Sequence, residues 1–303
     1  MPQNLGPRRT FLILICLVAG AACHPGNQEA KRLQGACESG DAAACNGLGQ
    51  KLLKGEYVLQ DVKRGATLLQ TACEGGVAAG CARLGALRLD GEGVRPDTTI
   101  AVGLLEKSCA SNAMDGCSRL GSLYRVGAGV PQDLVRATGL FRRSCDGGEL
   151  SGCSQLGEQY AAGEGMEQDF ARAASLFQRA CDGKDLLGCA RLGQLTVAGT
   201  GAIQNDSVAA ELFERACEGN QPAGCFGLGE MYYSGRGRPQ NFERAGDFYY
   251  QACSSHHGEA CFRLGDMHLK GAGVYRDEEQ ARRMTRRACQ YGYAPACSPR
   301  QGS

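Results

Sequence analysis

Apolar residues in this chain recur at helical spacing, and the pattern restarts every 36 residues. In the stretch 113–148, Cys117, Leu120, Leu123 and Tyr124 lie on one helical face, and Leu140/Phe141 mark the apolar face of a second helix. A Leu-Gly pair sits inside every first helix, at 48/49, 84/85, 120/121, 156/157, 192/193, 228/229 and 264/265. Glycine in a helix interior costs about 1 kcal/mol relative to alanine. Its recurrence predicts that a second helix approaches the backbone too closely for a Cβ. A Gly-x-Gly loop then ends the first helix, as at Gly127/Gly129, Gly163/Gly165 and Gly271/Gly273. The first repeat departs, with Gly55 followed by Tyr57.

An Asp or Asn opens each second helix, at Asp61, Asp97, Asp133, Asp169, Asn205, Asn241 and Asp277. These are predicted N-caps, each contributing about 1 kcal/mol. Four residues on comes alanine, or Gly65 in the first repeat, and then an apolar pair such as Leu176/Phe177 or Leu212/Phe213. A fixed period of this length predicts stacked helix-turn-helix units, an all-α solenoid with a disulfide-stapled 36-residue repeat. Seven full repeats span 41–292, with partial caps extending one continuous solenoid over 27–300.

Cysteines carry the same period. The pairs are Cys37–Cys45, Cys73–Cys81, Cys109–Cys117, Cys145–Cys153, Cys181–Cys189, Cys217–Cys225, Cys253–Cys261 and Cys289–Cys297. Each links the end of one repeat's second helix to the start of the next repeat's first. Zinc binding and thiol redox chemistry both favour CxxC-type spacing, which is missing, so the pairs read as structural disulfides. Closing so short a loop contributes about 2–3 kcal/mol per bridge. Such bridges persist in oxidising compartments.

The N-terminus fits that compartment. Arg8 and Arg9 precede an apolar stretch, residues 11–18, and small residues lead to Cys23, so residues 1–22 read as an export signal. Cys16 falls within it, and Cys23 is then the one cysteine outside the periodic pairs. Lipidation of Cys23 accounts for it, although Gly20 stands where lipoprotein signals usually carry leucine. Residues 7–12 also resemble a twin-arginine export motif with its first residue changed. The expected location is the bacterial periplasm or outer envelope, lipid-anchored, with a secreted soluble form as the alternative.

Charge excludes other classes. Without residues 1–22 the chain carries 31 basic and 32 acidic residues, so there is neither a nucleic-acid footprint nor a polybasic membrane patch. His256-His257-Gly258-Glu259 lacks the HExxH spacing and reads as a solvated turn, and His268 as a surface or groove residue. No metal or cofactor is expected.

The motifs Ala/Gly-Cys-x-x-Leu-Gly, Gly-x-Gly-Val, Asp and a closing Arg-Ala-Cys resemble Sel-one-like repeats (SLR), relatives of tetratricopeptide repeats. The cysteine pair in every unit is similar to the Helicobacter cysteine-rich proteins. The resemblance implies a right-handed superhelix with a concave groove that binds proteins or peptides, and we expect a monomer. Some of the cysteine-rich proteins carry a β-lactamase or penicillin-binding label. None of Ser-x-x-Lys, Ser-Asp-Asn and Lys-Thr-Gly occurs in this sequence, so no catalytic residue carries over and the enzyme reading stays an alternative. A passive structural role at the envelope is a further alternative.

By analogy with tetratricopeptide repeats, the groove is lined by the residue after the cysteine and those four and seven further on. That stripe reads Asn46/Gln50/Leu53, Ala82/Ala86/Leu89, Ser118/Ser122/Arg125, Ser154/Glu158/Ala161 and Ala190/Gln194/Val197. It changes character at Phe226/Glu230/Tyr233 and Phe262/Asp266/Leu269. Eleven of the 19 aromatics lie at or beyond residue 226. Phe226, Glu230, Tyr233, Phe262 and Asp266 are therefore the candidate partner-binding residues. Tyr124, Tyr160 and Tyr232 share one repeat position and are expected in the core.

Overall fold

The computed structural model describes residues 25–56 and 58–297. The expected signal, Cys16 and the lipidation site Cys23 lie outside the described residues. Among those described the chain is all-helical, with fifteen α-helices and a short 3-10 turn at Ala294–Ala296. It divides into two compact units at residues 140/141.

The first unit holds α1 (Pro25–Glu38), α2 (Ala42–Lys54), α3 (Val62–Glu74), α4 (Ala78–Asp90), α5 (Thr98–Ala110) and α6 (Met114–Val126). α7 (Leu134–Asp146) contains the dividing point. The second unit continues with α8 (Leu150–Ala162), α9 (Phe170–Asp182), α10 (Leu186–Ala198), α11 (Asp206–Glu218), α12 (Pro222–Ser234), α13 (Phe242–Ser254), α14 (Gly258–Lys270) and α15 (Glu278–Gln290). Within each unit consecutive helices pack on one another, as in a solenoid.

The seven N-caps form as the sequence predicts. Asp61, Asp97, Asp133, Asp169, Asn205 and Asn241 each accept from the backbone N–H three residues on, at 2.8–3.1 Å. Asp277 accepts from both Glu279 and Gln280. The first helices end on glycines in the left-handed region, such as Gly127 at φ 74° and Gly271 at φ 67°. A glutamine before the N-cap ties the loop back to the first helix: Gln60 donates to Leu53 O at 2.9 Å and Gln168 to Ala161 O at 2.8 Å.

The Leu-Gly glycines are contact points. A Cβ on Gly157 would stand 2.7 Å from the Phe177 ring, on Gly193 2.8 Å from Phe213, and on Gly229 2.7 Å from Tyr249. Real Cβ atoms do not come that close, so the glycine lets the second helix's largest side chain reach the core. Phe177, Phe213 and Tyr249 are accordingly 1%, 3% and 1% exposed. Tyr124, Tyr160 and Tyr232 are buried, as the periodicity predicts.

All eight cysteine pairs are bonded, each across eight residues of sequence, with Cα–Cα distances of 4.4–4.8 Å. A basic residue two positions before some of these cysteines reaches back to the preceding repeat. Lys107 Nζ donates to Cys73 O at 2.8 Å, Arg179 to Cys145 O at 2.9 Å and Arg215 to Cys181 O at 2.6 Å. Each cation satisfies a carbonyl at a helix C-terminus, where the dipole also favours positive charge. The closing Arg-Ala-Cys is thus an inter-repeat clasp as well as a disulfide.

Candidate functional site

The candidate residues lie on two first helices of the second unit, α12 and α14. α12 begins with Pro222, whose fixed φ suits the first helical turn, and ends at Gly235 in the left-handed conformation. Its tight seat comes from glycines: Gly227 faces Phe213 and Gly229 faces Tyr249. Those contacts fix the helix's rotation, with Phe226, Glu230 and Tyr233 half-buried around the Tyr249 side chain.

Phe226 stacks on the imidazole of His257, with ring centroids 4.7 Å apart and planes 20° apart. It also meets Tyr249 at 5.9 Å, and Tyr233 lies 6.4 Å from the same Tyr249 and edge-on to Phe242 at 5.1 Å. Offset and edge-on pairs of this kind contribute about 0.5–1.5 kcal/mol beyond the area they bury. Glu230 is committed internally. One carboxylate oxygen accepts from the Tyr249 hydroxyl at 2.5 Å, and Arg263 of α14 approaches to 3.2 Å. Burial, then the bond to Glu230, pushes the Tyr249 hydroxyl far above its ordinary range, so it stays a donor at any physiological pH. Phe262 packs on Tyr293 at 5.3 Å, and Asp266 is half-buried one turn further along α14. The Glu230–Arg263 pair thus joins the Phe226/Tyr233 grouping on α12 to the helix carrying Phe262.

His257 corrects the reading of a solvated turn. It is the N-cap of α14, half-buried, and its Nδ1 accepts from Ala260 N at 3.2 Å. Burial first, and the positive charge of Arg191 second, lower its pKa and hold the ring neutral, as a capping acceptor requires. His256 occupies the preceding left-handed position (φ 65°) and meets Tyr291 edge-on at 4.6 Å. His268 Nδ1 lies 3.1 Å from Tyr275 O.

The stripe also needs correction elsewhere. The position directly after the cysteine is buried at Ala82 (2%), Ser118 (5%), Ser154 (0%) and Ala190 (0%), so it cannot line a groove there. It is partly exposed at Asn46 in the first repeat and at the rings Phe226 and Phe262. Sequence reasoning missed Tyr249, His257 and Arg263. Tyr249 had a signal, a hydroxyl added where Phe177 and Phe213 stand in register.

The rings of the site are half-exposed and its strongest polar groups are paired. Among the described residues no group of three His, Cys, Asp or Glu is placed to hold a metal, and no helix is long and apolar enough to cross a membrane.

The Sel1 repeat family matches residues 42–77, 78–112, 115–149, 150–185, 186–221, 222–257 and 258–293. Comparison with curated proteins gives no match. Among solved structures, a Sel1 repeat protein from Oxalobacter formigenes is similar at TM-score 0.69 and 19% identity, over 86% of this chain and 98% of that one. The protein c5321, described as a protective antigen of uropathogenic Escherichia coli with an SLR fold, is similar at TM-score 0.64 and 25% identity. That match covers 88% of this chain and 57% of c5321, so this chain spans little more than half its length. Cysteine-rich protein B of Helicobacter pylori matches 43% of this chain at 28% identity and TM-score 0.36, which covers 93% of that protein.

Proposed function

The chain belongs to the Sel1 repeat family, whose members are in general protein–protein interaction scaffolds, and from that premise we propose that it binds an extended segment of another protein across α12 and α14. One observation carries the reading. Rings replace buried small residues at Phe226 and Phe262 and stand half-exposed, Phe226 held against Tyr249 and His257 and Phe262 against Tyr293. Rigid aromatics supported in this way are the usual anchors of peptide recognition. Their side chains are already ordered by stacking, which reduces the entropy lost on binding.

Eight disulfides suit an oxidising compartment, and the proposed setting is the exported, envelope-facing side of the cell, with Cys23 as lipid anchor. Peptides selected from a random display library against the oxidised protein provide the test. We expect the Phe226→Ala/Phe262→Ala double variant to weaken selected peptides at least tenfold, about 1.4 kcal/mol, with helicity intact. Unchanged affinity in a folded double variant would refute the reading.

A further inference from the structure

The first unit contains a cavity that the peptide-binding reading does not use. Its volume is about 250 Å³, and its walls include Leu84, Leu104, Ile100, Arg88 and Lys107. This repeat lacks a clamp that three of the seven repeats carry. At the position of Arg88, other repeats carry Tyr124, Tyr160 and Tyr232, and a guanidinium twelve residues on covers each ring. Arg136 lies 4.2 Å from the Tyr124 centroid, Arg172 5.6 Å from Tyr160 and Arg244 5.4 Å from Tyr232. In this repeat both members are exchanged, with Arg88 for the tyrosine and Ile100 for the covering arginine. A guanidinium thus stands in the cavity lining where those repeats carry a ring.

Arg88 is incompletely satisfied there. One terminal nitrogen donates to Arg95 O at 3.1 Å, but Nε is buried with no hydrogen-bond acceptor. Nε is thus closed to a ligand, and an anion in the cavity would meet the outer guanidinium N–H groups and their positive charge. Lys107, in the same lining, donates to Cys73 O at 2.8 Å and leaves further donor directions on its ammonium. Glu74 supplies the one carboxylate of the lining and accepts from Gln70 at 3.0 Å, so the two cations exceed it by one charge. Leu84, Leu104 and Ile100 supply the apolar part of the lining.

We propose that this cavity binds a carboxylate attached to a small branched apolar group, with the carboxylate on Arg88 and Lys107 and the hydrocarbon against Leu84, Leu104 and Ile100. The planar guanidinium fork matches a carboxylate edge, and the apolar lining suits a hydrocarbon attached to it. The volume admits a ligand of side-chain size and excludes drug-sized molecules. Two sources share the chemistry: a free short-chain acid, or the C-terminal leucine-like residue of a peptide.

The test titrates the full oxidised protein with 4-methylpentanoate, its primary amide, N-acetyl-Gly-Gly-Leu and that peptide's C-terminal amide. The readout is the arginine Nε–H region of a nitrogen-15 NMR spectrum. A ligand this small should saturate at about millimolar concentration. We expect the acid forms to move the Arg88 Nε–H signal saturably and the amides to bind at least tenfold more weakly. Tighter binding of the free acid or of the peptide identifies the source. Grafting the neighbouring clamp, Arg88→Tyr with Ile100→Arg, should fill the cavity and abolish binding with the helical content unchanged. Arg88→Gln should do the same by removing the charge alone, and stands in if the graft misfolds. No saturable shift with either acid, equal binding of acid and amide, or undiminished binding in a folded variant would each overturn the proposal.

Discussion

Phe213 is the sharpest place to test the close-packed glycines. Its ring lies between two first helices, 2.8 Å from where a Cβ on Gly193 would be and 2.5 Å from that of Gly227. It is 3% exposed and cannot turn away from one helix without striking the other. Gly193→Ala gains about 1 kcal/mol of helix propensity. Overpacking a rigid core costs about 1–3 kcal/mol, and a ring held on both sides places this case at the upper end. The net expectation is destabilisation by about 1–2 kcal/mol. Gly103→Ala is the control, because a Cβ there meets nothing within 4 Å; it should stabilise by about 0.5–1 kcal/mol. Phe213→Leu makes room, reproducing the smaller Leu105 that faces Gly85 in the first unit. Combined with Gly193→Ala it should show a coupling of about 1 kcal/mol or more in a double-mutant cycle. A stapled repeat array need not unfold in one step, so the assay is hydrogen exchange over α10 and α11, which reads local opening free energies. If Gly193→Ala stabilised as Gly103→Ala does, or if it added to Phe213→Leu without coupling, the close-approach argument would fail.

Two further predictions rest on the caps. The Asp97 carboxylate accepts from Ile100 N at 2.9 Å, so Asp97→Ala should cost about 1 kcal/mol and Asp97→Asn close to nothing, read as the exchange rate of the first turn of α5. His257 is held neutral in the folded protein, its pKa lowered from 6.5, so the unfolded chain takes up the extra proton first as the solution is acidified. Protection of α14 should therefore be full above pH 6.5, decline below it, and level off once the folded imidazole also protonates. His257→Asn keeps a capping acceptor and should flatten that decline; an unchanged pH profile in the variant would assign it to other groups.

What the sequence discloses here is whatever repeats within one unit. Asp or Asn at one register position, Gly-x-Gly after the first helix, and Leu-Gly inside it are local signals, and each adopts the structure that its chemistry dictates. Less legible are contacts between repeats. Arg215 reaches a carbonyl 34 residues earlier, and nothing in the spacing of Arg-Ala-Cys reveals that target. The groove stripe was carried over from a related repeat, and it placed Ala190 and Ser154 on the surface although both are fully buried. His257 looked like turn filler because only the fold brings Phe226 over its ring. Arg88 was readable in principle as the exchanged half of a Tyr–Arg pair, but the pairing itself is a three-dimensional fact.

The eight-residue span of every cystine has a consequence for how the chain becomes oxidised. Sixteen cysteines could pair in about two million ways, by the same counting that gives 105 for eight. Yet each cysteine's native partner lies one short turn away, and the next cysteine outside its pair is 28 residues off. Loop-closure statistics favour the nearer thiol at every step. Correct connectivity is thus written into distance along the chain. A nascent protein threading into an oxidising compartment can lock each joint as it emerges, without waiting for the rest and without an isomerase to undo mistakes.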